Sequence, residues 1–268
     1  MVKEQHLEEA NRLFSDLEVE VSLAGRFLGG YVGKEEGVHE HVRLKVELWV
    51  KAVGHLASAA RAYPQSAYAA FTRSLSCEWT YLQRVVGGCD DEYIPLREVI
   101  QRVFTPAVLG REVLQREHEL FGLSVRNGGL ALVDPVSTAG TAFRVSKAAT
   151  AVLQEAVKSG DPVNMTDHDA CRRSVTRNWQ KERSSLEATH LDQLLLEMPA
   201  GPRRTLKRIT KGQASGWLST LLLKSDGFDL SARHTVQGPA GYSLPPRASR
   251  STCSVRWLRS SFLPPTWP

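Results

Sequence analysis

Apolar residues recur at steps of three and four along two long stretches, which predicts two long amphipathic helices. One face of a helix gathers residues at this spacing, so each helix should bury one face in a core. In residues 38–60 the apolar set is Val38, Val42, Val46, Trp49, Val50, Val53, Ala57 and Ala60. In residues 64–86 it is Ala67, Tyr68, Phe71, Leu75, Trp79 and Leu82. Pro64 suits the first turn of the second helix, and Gly87-Gly88 should end it.

The first 33 residues change from a helical pattern to a strand pattern. Residues 3–17 predict a short helix with one apolar side, made of Leu7, Ala10, Leu13, Phe14 and Leu17. Apolar and polar residues then alternate over residues 17–23, which predicts a strand. A turn at Ala24-Gly25 and a second strand at residues 26–28 should follow. We therefore predict a small β-hairpin within residues 18–33.

Further helical patterns continue to residue 223, and the pattern changes after Asp229. The predicted helices are residues 94–104, ending near Pro106, and then 111–120, 137–158, 166–197 and 203–223, with turns at Asn127-Gly128-Gly129 and Asp161-Pro162. After Asp229 the sequence is dominated by Gly, Pro, Ser and Arg, which predicts disorder. The expected fold is mainly α: a helical bundle with a small N-terminal β-hairpin and a disordered C-terminal tail. The expected divisions are residues 1–33, 34–228 and 229–268.

The net positive charge of the chain comes from its last residues. Hydrophobic residues make up 42% of the 268 positions, and the formal net charge is +5. From Ser231 onward there is no Asp, Glu or Lys, but there are five arginines: Arg233, Arg247, Arg250, Arg256 and Arg259. The tail therefore accounts for the excess, and the body is close to neutral. The basic composition alone does not make the body a nucleic-acid-binding domain.

Catalytic and metal-binding patterns are weak throughout the chain. The glycine-rich stretch before Lys34 lacks a P-loop, since Leu28 and Glu35 stand where that motif needs a glycine and a Ser or Thr. Cys89-Asp90-Asp91 is the one paired-aspartate candidate for a metal site, but it fits better as a solvated loop with a helix N-cap. His168 and Cys171, or His39 and His41, are too few ligands for zinc. We expect no catalytic residue, metal, cofactor or small-molecule substrate.

The chain shows no targeting or membrane signal in its sequence. Its first residues are polar and acidic, which does not fit a signal peptide. No apolar run approaches the roughly 20 residues of a membrane-spanning helix. The expected location is therefore intracellular, cytoplasmic or nuclear, without a membrane partner.

Two basic helical segments are the strongest candidates for binding. One helix carries Arg172, Arg173, Arg177, Lys181 and Arg183, and a denser patch consists of Arg203, Arg204, Lys207, Arg208 and Lys211. Steps of three and four place four of the second group on one helical face, namely Arg204, Lys207, Arg208 and Lys211. Such a face either contacts phosphates or is an ordinary solvated surface. The predicted nucleic-acid-binding residues are the five of the patch together with Arg172, Arg173 and Arg177.

Five stretches in order resemble the segment after the catalytic palm in reverse transcriptases of LINE-like (non-LTR) retrotransposons. The family patterns are G-x-R-[FY]-L-G-[GA], A-Y-x-A-F…W-[TS]-[FY]-L-x-R, P-L-E-x-x-I, G-G-L-[AG]-[LI]-x-[DN]-P and A-x-x-W-L. The stretches that resemble them are residues 25–30 (GRFLGG), residues 67–71 with 78–84 (AYAAF and EWTYLQR), residues 95–100 (PLREVI), residues 127–135 (NGGLALVDP) and residues 214–218 (ASGWL). Together they cover roughly residues 18–228.

The resemblance implies a thumb-like helical region that contacts template and primer. The partner would be RNA, DNA or an RNA–DNA hybrid. The catalytic aspartates of the family would lie before Met1, so the chain is expected not to be an enzyme by itself. The expected function is a reverse transcriptase remnant without its palm. Three alternatives stay open: a cellular nucleic-acid-binding module, an inert remnant, and a helical protein-binding scaffold with an exposed apolar stripe on the 38–60 or 64–86 helix.

Overall fold

The protein is mainly α-helical with one two-stranded antiparallel hairpin near its N-terminus, which confirms the predicted fold class. The structure is a computed structural model, and it describes residues 2, 4–17 and 21–212. The predicted disordered tail lies outside these residues. The described residues form two compact units: those within 2–50, together with 78–96 and 135–175, form the first, and residues 51–77, 97–134 and 176–212 form the second. The predicted boundaries at residues 33 and 228 stay a prediction.

A short helix opens the chain, and it is shorter than the pattern predicts. A 3₁₀ turn over Glu4–His6 leads into α1 (Leu7–Leu13), and the remaining residues to Leu17 form turns. The Ser15 hydroxyl donates a 3.0 Å hydrogen bond to the carbonyl of Arg12, which competes with continued helical bonding. Of the predicted apolar side, only Ala10 is buried, while Leu13 and Leu17 are 64% and 57% exposed.

The predicted hairpin is present, but its turn lies elsewhere. Strands β1 (Gly25–Phe27) and β2 (Gly30–Val32) pair with Phe27 opposite Gly30 and Arg26 opposite Tyr31. The prediction of a turn at Ala24-Gly25 was therefore wrong. The turn residues are Leu28 and Gly29, with φ of 46° and 82°, the two-residue geometry that matches strand twist. Residues 18–20, in the predicted first strand, lie outside the described part.

The long helix α2 (Glu35–Ala60) buries the predicted face. Residues 42, 46, 49, 53, 57 and 60 of that set are at most 5% exposed. Within the first unit, Trp49 meets Trp79 edge to face with ring centroids 6.0 Å apart, and its Nε1 donates a 2.8 Å hydrogen bond to Glu78. Such aromatic pairs stabilise a core beyond the area that they bury.

The second predicted helix is continuous from Pro64 to Val85, with a π turn inside it. Its parts are α3 (Pro64–Ala70), the π turn Phe71–Leu75 and α4 (Ser76–Val85). In the second unit, Phe71 stacks on Phe104 with ring centroids 4.4 Å apart. The hydroxyl of buried Tyr68 donates a 2.7 Å hydrogen bond to the carbonyl of Leu130. These contacts confirm the predicted apolar stripe.

The next helix passes through Pro106 and does not end there. It consists of α5 (Ile94–Val99), the π turn Ile100–Phe104 and α6 (Thr105–Leu109), and it stops at Gly110 with φ of 67°. The Thr105 amide and hydroxyl both donate to the carbonyl of Ile100. This wide turn offsets the loss of the Pro106 N–H and relieves the clash of its ring with the preceding turn. The predicted end was wrong for this reason.

Two helices replace the single one predicted for residues 137–158. They are α8 (Pro135–Ala149) and α9 (Ala151–Ser159), separated at Thr150. The Gln154 side-chain amide donates to the carbonyl of Lys147 and to the Thr150 hydroxyl, at 2.9 and 2.8 Å. These side-chain bonds replace part of the main-chain ladder at the break.

Three further helices complete the described chain: α7 (Gln115–Gly122), α10 (Met165–Glu197) and α11 (Ala200–Gly212). The last covers the first half of the predicted helix over residues 203–223, and residues 213–223 lie outside the described part. The described helices include none that is long and apolar enough to cross a membrane.

Candidate nucleic-acid interface

Helix α11 presents four cations on one side and two buried apolar residues on the other. Arg204, Lys207, Arg208 and Lys211 are exposed, whereas Leu206 and Ile209 are each 3% exposed. At 3.6 residues per turn, the four cations lie on the side of the helix opposite Leu206 and Ile209. The structure therefore brings together four of the five residues predicted for the denser patch.

An apolar cluster in the second unit holds α11 from its buried side. Its buried members are Leu120, Leu123, Leu194, Met198, Leu206 and Ile209. They come from α7, its C-cap, the end of α10 and α11. The two α11 members fix which side of that helix faces solvent. Leu206 and Ile209 lie three residues apart within the basic patch. This spacing marks the buried side of the helix, and the sequence interpretation did not use it.

The positive charge of α11 is not balanced within the helix. No Asp or Glu occurs between Ala200 and Gly212. Neither Lys207, Arg208 nor Lys211 forms an ion pair with the described residues, while Arg204 donates from Nε to the carbonyl of Ala200 at 3.3 Å. Free ammonium and guanidinium groups on an exposed face can bind phosphate oxygens and release counterions.

Arg203, the fifth residue of the patch, is used inside the protein. Its Nη2 donates to the carbonyl oxygens of Leu196 and Met198 at 3.0 and 2.7 Å. These carbonyls are at the end of α10, where the last helical carbonyls lack partners and a cation is favoured. Arg203 therefore caps α10 and ties α11 to it.

The other predicted arginines have different surroundings. In the first unit, Arg172 and Arg173 both pair with Asp169, at 3.1 and 3.6 Å. The hydrogen bond from Arg172 lowers the pKa of Asp169, with the nearby cationic charges acting in the same direction. In the second unit, Arg177 is exposed. Arg172 and Arg173 thus share one carboxylate, which reduces their net charge as a phosphate-binding pair.

A tight turn lies against the buried side of α11. The 3₁₀ turn Val125–Asn127 is followed by Gly128, where φ is 82° and an added Cβ would meet the Leu206 side chain at 2.3 Å. The Asn127 side-chain amide donates a 3.0 Å hydrogen bond to Glu187 of α10. The predicted turn at residues 127–129 is confirmed. The sequence interpretation did not name its neighbours Arg126 and Glu187 as site residues.

The described part of the chain contains no cluster of metal-binding side chains. Within residues 2, 4–17 and 21–212, no group of three His, Cys, Asp or Glu side chains could hold a metal ion. Asp90 and Asp91 lie in a 3₁₀ turn, Asp90–Tyr93, directly before α5. Cys89 precedes this turn, is buried and makes no side-chain capping hydrogen bond.

Comparisons with known proteins assign this chain to no family. Neither protein-family models, curated proteins nor solved structures gave a match to this chain.

Proposed function

We propose that this chain is the template–primer-binding, thumb-like part of a reverse transcriptase. The five ordered sequence stretches that resemble retrotransposon reverse transcriptases motivate the family. The exposed basic face of α11 is the observation that carries the binding role. In this role the face contacts the phosphate backbone of an RNA–DNA hybrid and contributes no chemistry to polymerisation.

The physical support is the separation of charge and apolar surface on α11. Leu206 and Ile209 are buried, so the helix cannot rotate its cations inward without exposing both of them. Full burial of a large aliphatic side chain is worth about 1.5–3 kcal/mol, so this orientation is stable. Four cations on one face over two turns suit contacts to neighbouring phosphates of one strand.

The test is hybrid binding by the full chain and by a variant of the basic face. Arg204, Lys207, Arg208 and Lys211 are changed to Gln, which keeps helix propensity and removes four charges. A matched control changes Arg61, Arg84, Arg144 and Lys147 to Gln, since these four are also exposed cations. Both variants carry the same net charge and the same C-terminal tail.

The proposal is supported if the α11 variant loses more affinity for the RNA–DNA hybrid than the matched control does. We expect at least a roughly tenfold loss at low salt, against a much smaller loss in the control. Equal affinity of the two variants would mean that only overall charge matters, and the binding role of α11 would be abandoned.

A second candidate function is a protein-binding scaffold without catalysis. On α2, Leu44 and Leu48 are 47% and 57% exposed and lie one turn apart. On α4, Tyr81 and Val85 show the same spacing and are 45% and 42% exposed. The scaffold alternative predicts such exposed apolar pairs. It also predicts that the α11 substitutions leave the affinity of the chain for the RNA–DNA hybrid unchanged.

A further inference from the structure

The turn that packs on the buried side of α11 leaves no room for a side chain at Gly128. An added Cβ there would lie 2.3 Å from the Leu206 side chain, and Gly128 itself has φ of 82°. Leu206 is 3% exposed inside the apolar cluster that α7, α10 and α11 share, so it has little space to move away. The main chain of the turn therefore packs directly against the helix that carries the four cations.

The turn itself is held in one conformation. The amides of Asn127 and Gly129 both donate to the carbonyl of Ser124, at 2.9 and 3.1 Å. A Cβ on Gly129 would lie 2.1 Å from the carbonyl oxygen of Leu123, so this second glycine also allows a close main-chain approach. Because its own hydrogen bonds and close packing brace it, the turn passes a displacement on to its neighbours and does not absorb it.

Helix α10 supports both the turn and α11. Glu187 of α10 accepts a 3.0 Å hydrogen bond from the side-chain amide of Asn127, which fixes the turn to that helix. At the C-terminal end of α10, Arg203 of α11 caps the last carbonyls. Together with the contact between the turn and α11, these bonds join three segments of the second unit in a closed set.

We propose that Gly128 is a positioning residue for the basic face of α11 and that it acts through Leu206. The inference rests on the proposed function and concerns the same site. Phosphates follow one another regularly along a strand, so four cations of one helix engage neighbouring phosphates together only when that helix has a fixed direction. The turn gives no charge to the ligand, and it acts by fixing where α11 lies.

The salt dependence of binding separates positioning from general stability. The slope of log affinity against log salt reports the number of phosphates that the bound protein neutralises. Gly128→Ala changes no charge, so a smaller slope in this variant comes from fewer phosphate contacts. A loss of stability that leaves α11 in place lowers the melting temperature, but it does not change the slope measured for the folded protein.

The chain offers a matched control and a rescue. Gly160 has φ of 78° and open space around an added Cβ, so Gly160→Ala imposes similar backbone strain without a clash. Leu206→Val removes the δ carbon that the Cβ of Gly128→Ala would meet. The double variant, Gly128→Ala with Leu206→Val, therefore keeps the strained turn but restores space between the turn and α11.

The experiment measures RNA–DNA hybrid binding by the full chain and these variants across a salt series, and circular dichroism confirms that each variant is folded. We expect Gly128→Ala to weaken binding about 3- to 10-fold at low salt and to lower the slope by about one, as for the loss of one phosphate contact. Gly160→Ala and Leu206→Val alone should keep the parent slope. The double variant should recover it.

Three results would each overturn the inference: an unchanged slope in folded Gly128→Ala, an equal fall of the slope in Gly160→Ala, or no recovery in the double variant. If Gly128→Ala does not fold, Asn127→Ala takes its place, since it releases the turn from Glu187 without a clash. A smaller slope in Asn127→Ala then supports the positioning role, and an unchanged slope overturns it.

The four-residue α11 variant distinguishes failure of this inference from failure of the proposed function. If that variant loses affinity relative to its matched control while Gly128→Ala keeps the parent slope, the positioning role alone fails. If the α11 variant binds as its matched control does, the proposed function fails with it.

Discussion

The guanidinium of Arg203 donates a 2.7 Å hydrogen bond to the main-chain oxygen of Met198, two residues before α11 begins. The same nitrogen donates to Leu196 at 3.0 Å. One side chain of α11 thus satisfies two carbonyls at the end of α10. This relationship separates Arg203 from the four other cations of the patch, whose side chains are exposed.

Arg203→Lys should therefore destabilise the protein although it keeps the charge. Both bonds come from Nη2, at the far end of the arginine side chain, and the shorter lysine side chain cannot place its ammonium at the same point. We expect a loss of about 1–2 kcal/mol in the free energy of unfolding. Urea denaturation measures it, with Arg208→Lys as the exposed control. The salt slope of hybrid binding should stay that of the parent. Equal stability of Arg203→Lys and Arg208→Lys would contradict the capping role.

Removing the hydroxyl of buried Tyr68 should lower the free energy of unfolding of the second unit. Tyr68→Phe leaves the carbonyl of Leu130, a 1% exposed residue, without its 2.7 Å donor. An unsatisfied buried acceptor costs about 1–3 kcal/mol, so the unfolding free energy should fall by that amount. The control is Tyr63→Phe, since Tyr63 is 55% exposed. A loss no greater than in the control would mean that the bond contributes nothing.

The first unit should lose stability in mild acid through His41. Its ring stacks on Tyr31, is 5% exposed, and its Nε2 has no hydrogen-bond partner among the described residues. Burial lowers the pKa of His41, and the charges of Arg26 and Lys45 lower it further. The unfolded chain, with a His pKa near 6.5, therefore takes up a proton at higher pH than the folded chain does.

The folded state therefore loses stability in mild acid, because protons bind preferentially to the unfolded state as the pH falls below about 6.5. Thermal melts between neutral pH and pH 5 should show a loss of stability that is smaller in His41→Phe. His55→Asn, at an exposed histidine, should follow the parent. An identical acid dependence in parent and His41→Phe would show that another group is responsible.

The long helices could be predicted from the sequence because burial imposes a period that a single chain displays. Val42, Val46 and Val53 fall on one helical face by spacing alone, and all three are buried. The four cations of α11 could be grouped for the same reason. Local periodicity determines which residues share a face, whatever the partner surface is.

Features that depend on individual side-chain hydrogen bonds, whether local or between distant segments, could not be predicted in this way. Pro106 was expected to end a helix, but the π turn before it depends on Thr105 bonding to Ile100. The role of Arg203 depends on how the chain turns at Pro199, which no spacing encodes. Glu187 joins the site through Asn127, sixty residues away in sequence.

The salt dependence of RNA–DNA hybrid binding tests the central claim most directly. Each phosphate contact contributes about 0.9 to the slope of log affinity against log salt for a duplex. The full chain with Arg204, Lys207, Arg208 and Lys211 changed to Gln should show a slope smaller by about 3 to 4 than the parent. Its control, with four other cations changed, should keep the parent slope. Parallel slopes for all three proteins would contradict a nucleic-acid interface on α11.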